Sequence, residues 1–200
     1  MAMIWGETLE VVRAKGKNIK GTDEADDLKG GENNDTIRGL DGDDVLKGKG
    51  GNDVIDGGKG DDKLRGDAGN DTLAGGAGGD KVEGGAGKDV VSGNAGNDKL
   101  LGDKGADTLS GGSGDDALRG GQGNDVLSGG NGVDTFVFGK KEGNDVIRDF
   151  KDGTDLIDLR GQTFEVIENK SGSAVLELSG GGTVTLKGID MNDVDPDWFL

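Results

Sequence analysis

The chain has 200 residues, 44 of them Gly, with 30% hydrophobic and 4% aromatic residues and a formal net charge of −17. Such a composition cannot build a thick core, and without further organisation it would read as disorder. It has no His, Cys or Tyr, which excludes His-dependent triads, thiol nucleophiles and His/Cys zinc sites. The acidic balance argues against nucleic acid and anionic lipid as partners, and no segment approaches a membrane span.

Residues 1–20 carry the apolar clusters Met3-Ile4-Trp5 and Leu9-Glu10-Val11-Val12, separated by Gly6-Glu7-Thr8. The segment is expected to be an N-terminal cap, a strand or short helix covering the first open coil of the adjoining residues. A targeting peptide is excluded, because there is neither an unbroken apolar run of seven residues nor a small-residue cleavage site.

Residues 21–137 repeat one nine-residue phrase thirteen times without insertion or deletion, from Gly21-Thr22-Asp23-Glu24-Ala25-Asp26-Asp27-Leu28-Lys29 to Gly129-Gly130-Asn131-Gly132-Val133-Asp134-Thr135-Phe136-Val137. Position one is always Gly, position six always Asp, and position eight always Leu, Ile, Val or Phe. Such a period signals a repeat architecture. Gly at positions one and four, with seven more Gly at position two, suits the positive φ angles of a tight turn, and the Asn or Asp common at position five tolerates the left-handed region. Positions one to six are therefore expected to turn, and positions seven to nine to form a short strand with one side chain inward.

Two copies would close one coil, so alternate copies stack with parallel strands in register. Asp26, Asp44, Asp62, Asp80, Asp98, Asp116 and Asp134 then form one ladder, and Asp35, Asp53, Asp71, Asp89, Asp107 and Asp125 the other. Rungs about 4.8 Å apart bring carboxylates close enough to repel strongly unless a cation lies between them. The available ligands are carboxylate and turn carbonyl oxygens, a set that suits Ca²⁺ better than Zn²⁺ or copper. The gaps between rungs allow at most about eleven sites. The repeat block holds 25 acidic and 12 basic residues, a deficit that bound calcium would more than offset.

Copies such as Gly75-Gly76-Ala77-Gly78-Gly79-Asp80-Lys81-Val82-Glu83 and Gly120-Gly121-Gln122-Gly123-Asn124-Asp125-Val126-Leu127-Ser128 resemble the RTX, or hemolysin-type, calcium-binding repeat Gly-Gly-x-Gly-x-Asp-x-apolar-x. The resemblance implies an all-β fold, a right-handed parallel β-roll or β-solenoid with Ca²⁺ between successive turns, and secretion by a one-step type I apparatus with folding outside the cell. The first two copies depart from the pattern, with Glu24 and Asn33 in place of the fourth-position Gly, which weakens the outermost sites at Asp26 and Asp35. Leu40, Lys49, Asp67, Asn94 and Asp103 at position two are milder departures.

Residues 138–200 are expected to form a C-terminal β cap. Strands are expected in Gly143–Phe150, Gly153–Leu159, Thr163–Ile167, Ala174–Leu178 and Thr183–Leu186, with Leu156, Ile157, Phe164, Val175, Leu176 and Leu186 as core. The segment is similar to the one that closes RTX domains in secreted proteases and epimerases. Asp155 and Asp158 are candidates for one more calcium, although edge carboxylates are more often simply solvated. The ending Asp193-Val194-Asp195-Pro196-Asp197-Trp198-Phe199-Leu200 resembles a type I export signal. It also suits a tail that tucks Trp198 and Phe199 onto the cap.

No catalytic motif stands out, and no enzymatic activity is expected. Three classes of function fit: a free-standing secreted calcium-binding protein, the C-terminal export and folding module of a larger secreted enzyme, or an extracellular adhesion element that meets polysaccharide through bound calcium. The first is preferred.

Overall fold

The computed structural model describes residues 15–200. Most of the proposed N-terminal cap, residues 1–14, lies outside the described residues; its end forms β1 (Asn18–Lys20). Then come β2 (Asp27–Lys29) and a run of six-residue strands, β3 (Thr36–Asp41), β4 (Val45–Gly50), β5 (Val54–Lys59), β6 (Lys63–Ala68), β7 (Thr72–Ala77), β8 (Lys81–Ala86), β9 (Val90–Ala95), β10 (Lys99–Lys104), β11 (Thr108–Ser113), β12 (Ala117–Gln122) and β13 (Val126–Asn131). The chain continues through β14 (Thr135–Val137), β15 (Asn144–Ile147), β16 (Leu156–Asp158), β17 (Phe164–Glu168), β18 (Ala174–Leu178) and β19 (Thr183–Leu186), with two short 3-10 turns near the end.

Odd and even strands separate into two parallel stacks, so each coil spans eighteen residues. One sheet runs β1-β3-β5-β7-β9-β11-β13-β15 and is completed by β19, β18 and β17; the other runs from β2 to β16. Register follows the repeat, as in Ile37↔Ile55 and Leu64↔Val82. This is an all-β parallel solenoid. Its core is a single file from each sheet, since position eight is buried in every copy from Ile37 to Phe136, while Leu28 in the first copy is only partly buried.

The strands are longer than the expected three residues: positions seven to nine continue through one to three of the next copy, leaving the turn at positions four to six. Positions eight and one both point inward, and only Gly fits at position one. A methyl group at Gly111 would stand 2.5 Å from the Gly129 carbonyl oxygen and collide with the Asp116 carboxylate. Position one is thus Gly because of close approach, not because of its φ angle. Positive φ falls instead at positions two and four, and at position two it is adopted even by Leu40 (99°), Lys49 (83°), Asp67 (75°), Asn94 (78°) and Asp103 (74°). Position five is not left-handed: its Asn or Asp Oδ1 accepts a hydrogen bond from the backbone N–H one coil later, as at Asn52 N to Asn34 Oδ1 (2.8 Å) and Asp61 N to Asp43 Oδ1 (2.9 Å).

Beyond residue 137 the parallel stacking persists through β13–β15, β14–β16 and β15–β19 before the antiparallel hairpins β18–β19 and β17–β18 close the end. Ile157, Val175, Leu176 and Leu186 are buried there, and Leu156 and Phe164 are half-buried. The aromatic file Phe136, Phe150 and Trp198, with centroids 6.2 and 4.9 Å apart, carries the core into the tail. The Trp198 indole N–H donates to Asp152 Oδ1 (2.9 Å), Phe199 stacks on Phe164, and the Leu200 N–H donates to the Ile157 carbonyl at the edge of β16.

The positive φ at position two predicts that Lys49→Gly stabilises the folded chain by about 0.5–1 kcal/mol. Gly51→Ala should destabilise it, since the added Cβ would lie 2.5 Å from the Asn33 carbonyl carbon. Urea midpoints of the two variants test this; shifts of the same sign would contradict the assignment of backbone strain.

Candidate metal site: two carboxylate ladders

The turn brings each position-six Asp to the inner wall of the roll, where it meets its counterpart eighteen residues away. The structure arranges the thirteen Asp residues in the two expected ladders. From Asp44 onward each Oδ1 accepts a hydrogen bond from the backbone N–H of the rung before it: Asp26 N to Asp44 Oδ1 (2.7 Å), Asp35 N to Asp53 Oδ1 (2.7 Å), and so on to Asp107 N to Asp125 Oδ1 (2.8 Å) and Asp116 N to Asp134 Oδ1 (3.1 Å), while Asp35 Oδ1 accepts from Lys17 N (2.5 Å). Half of each carboxylate is therefore held by the main chain.

The other half is not. Oδ2 of Asp44, Asp53, Asp62, Asp71, Asp80, Asp89, Asp98, Asp107, Asp116, Asp125 and Asp134 is buried and meets no hydrogen-bond donor of the protein. A buried carboxylate oxygen without a partner is costly, and here the cost recurs on every interior rung. At the first rungs it is relieved locally: Thr22 N (2.6 Å) and Thr22 Oγ1 (3.0 Å) donate to Asp26 Oδ2, and Gly31 N (2.6 Å) donates to Asp35 Oδ2. These are the two copies whose sequence departs from the pattern.

Two more Asp residues extend the ladders. Asp125 N donates to Asp145 Oδ1 (2.9 Å), and Asp134 N to Asp155 Oδ1 (3.2 Å). Asp145 was not among the residues singled out from the sequence. Its signal was Gly143-Asn144-Asp145-Val146-Ile147, a match to positions four to eight displaced to a spacing of 20. Asp155 Oδ2 accepts from Lys151 N (2.9 Å), which satisfies that end of its ladder within the protein. Asp158 stands apart: its side chain accepts from the Arg160 N–H and pairs with the Arg160 guanidinium.

Burial pushes the carboxyls of Asp53, Asp62, Asp80 and Asp89 up to about 6 and those of Asp107, Asp116 and Asp145 up to about 7. The hydrogen bond from the preceding rung opposes the shift, and neighbouring carboxylates add to it. The residues fit a hard cation. An orphaned Oδ2 and the carbonyl oxygen of a position-one Gly border the same small space, as Asp116 and Gly129 do around Gly111, and carboxylate with carbonyl oxygen is a calcium-type donor set. Among the described residues no three acidic side chains converge on one point, so carbonyl oxygens must complete any such site.

Fold and site together define a Gly- and Asp-rich parallel β-roll. The family model described as the RTX calcium-binding nonapeptide repeat matches residues 20–55, 39–73, 48–82, 74–109 and 110–140, and the chain belongs to this family. It is similar to a solution structure of the R3 subunit of the Azotobacter vinelandii mannuronan C5-epimerase AlgE6, at 30% identity and a TM-score of 0.51, covering 58% of this chain and 80% of that one. A crystal structure of the extracellular lipase LipA from Serratia marcescens aligns at 22% identity and a TM-score of 0.49, covering 90% of this chain and 39% of the lipase. No curated protein matches.

The raised carboxyls predict the pH response of the metal-free chain. A folded state whose Asp values lie near 6 to 7 binds more protons than the unfolded chain, whose Asp value is near 3.8, so stability falls as pH rises through that window. In metal-stripped buffer, circular dichroism should therefore report more β-structure at about pH 5.5 than at about pH 7.5. Equal or lower β-structure at the acidic pH would contradict the burial of these groups.

Proposed function

We propose that the chain is a non-catalytic calcium-binding protein that folds as it takes up metal outside the cell. The observation that carries the reading is the row of eleven buried, unpartnered Oδ2 atoms. Asp44 to Asp134 would hold the ions together with Gly carbonyl oxygens, while Asp26 and Asp35, already satisfied by local N–H groups, close the stack. Bound Ca²⁺ supplies the positive charge that lets adjacent carboxylates stack while ionised. The number of such positions allows up to about eleven ions.

An affinity in the extracellular range, about 10⁻⁴ to 10⁻³ M, would keep the chain unfolded in a low-calcium cytosol and so competent for export. The acidic and aromatic tail Asp193–Leu200 would be read by a type I secretion apparatus before Trp198 docks. A second reading, as the export and folding module of a larger secreted enzyme, is favoured by the likeness to a subunit of an epimerase.

The test is circular dichroism and Trp fluorescence in chelator and in millimolar Ca²⁺. The expected result is an unfolded spectrum without metal and a β-rich one with it; a β spectrum unchanged by exhaustive chelation would overturn the proposal. Asp80→Asn retains an oxygen to accept the Asp62 N–H but removes the charge. It should make metal-free folding easier and the calcium titration less steep, and Asp26→Asn should change neither. Equal effects at the two positions would contradict coupling through the ladder.

A further inference from the structure

The ladder that runs from Asp35 to Asp125 does not begin at an Asp. Eighteen residues before Asp35 stands Lys17, just ahead of β1, and its backbone is already in ladder register. Lys17 N donates to Asp35 Oδ1 (2.5 Å) and Thr36 N donates to the Lys17 carbonyl (2.8 Å), as Asp35 N donates to Asp53 Oδ1 (2.7 Å) and Val54 N to the Asp35 carbonyl (2.9 Å). The strand that follows, Asn18–Lys20, pairs with β3 through Ile19↔Ile37. The place of a rung is therefore held by a side chain of opposite charge.

At interior rungs the orphaned Oδ2 shares its space with the carbonyl of the position-one Gly thirteen residues on: Asp53 with Gly66 around Gly48, and Asp116 with Gly129 around Gly111. Thirteen residues on from Lys17 is Gly30, and its carbonyl accepts a hydrogen bond from Lys17 Nζ (3.2 Å). The ammonium thus takes up the carbonyl that a rung Asp would share with a cation. It also borders, together with Asp35 Oδ2, the space beside Gly31. The charges match as well, since a carboxylate with one Ca²⁺ leaves a single positive charge, which is that of one lysine. The other ladder ends in a related way: Lys151 N donates to Asp155 Oδ2 (2.9 Å), and the Lys151 ammonium reaches the Gly130 carbonyl.

We propose that Lys17 is a tethered counter-cation: its ammonium stands in the place of the metal ion at the first coil, so that this ladder begins on a charge the chain itself carries. The inference rests on the reading of the ladders as calcium sites. Each ion in the stack is shared between neighbouring coils, and an end coil has a neighbour on one side only. A charge fixed to the chain closes that end without an ion and holds the Asp35 turn at any calcium concentration. A neutral donor at residue 17 would satisfy the Gly30 carbonyl but leave the first carboxylate without a positive neighbour, so charge is the property under test.

The chain has no Cys, so Lys17→Cys can be alkylated at one sulfur in the full, metal-free chain. Aminoethylation restores a side chain of lysine length with its ammonium, and carbamidomethylation leaves a neutral one of similar size. Each adduct is brought to millimolar Ca²⁺, and amide hydrogen exchange is followed at Thr36, whose N–H donates to the Lys17 carbonyl, and at Thr108, far from that end in the same sheet. In the aminoethyl adduct Thr36 should exchange within about twofold of the unaltered chain, and in the neutral adduct at least about fivefold faster. Thr108 should be unchanged in both. Equal exchange at Thr36 in the two adducts, or an acceleration shared by Thr108, would overturn the inference. Native mass spectrometry of the unaltered chain keeps the two readings apart. A folded chain without bound calcium would defeat the reading of the ladders and the inference with it, whereas a calcium-bearing chain whose adducts exchange alike would defeat the role of Lys17 alone.

Discussion

Everything in this roll depends on a carboxylate that the protein satisfies only by half. At each interior rung Oδ1 receives a backbone N–H from the coil before it, which fixes the side chain inward and at the height of its neighbour. Oδ2 is thereby carried into the wall of the roll with no donor. The bond that positions the carboxylate also creates the need for a cation, and the coil geometry repeats that need every eighteen residues. In the metal-free molecule part of the cost shows as carboxyls raised by burial to about 6 or 7.

The ends of the ladders show the alternative solution. Thr22 and Gly31 donate N–H groups to Asp26 and Asp35, and Lys151 donates to Asp155. Those turns close on themselves, which makes them suitable ends to a stack whose middle relies on an external charge. A stack joined only between neighbours behaves as a chain of coupled units, and the cap gives it one finished edge. There the aromatic file from Phe136 to Trp198 supplies apolar volume that single Leu or Val residues in the repeats cannot.

Much of this was legible in the sequence because the period is strict. Position eight identified the core, and position six identified both ladders and their membership, since an eighteen-residue coil follows from an inward residue every nine. The strands of the cap were legible for the ordinary reason that β-branched and aromatic runs are separated by Gly-rich turns. What could not be read was why each Gly is there. Gly can be required for a positive φ or for want of a Cβ, and the sequence looks the same in both cases; in the folded chain the first reason holds at positions two and four and the second at position one. The Asx residues at position five looked like left-handed turn residues and proved to be acceptors for the next coil. Asp145 escaped because the ladder spacing shifts from 18 to 20 where the chain makes a longer turn.

The central claim is that the unpartnered oxygens are metal positions, one ion for each such oxygen. Equilibrium dialysis of the folded chain against calcium at saturation counts them directly. The account predicts about eleven ions per chain, matching the eleven buried Oδ2 atoms without a donor. A fully folded roll that saturates with only two or three ions would contradict it.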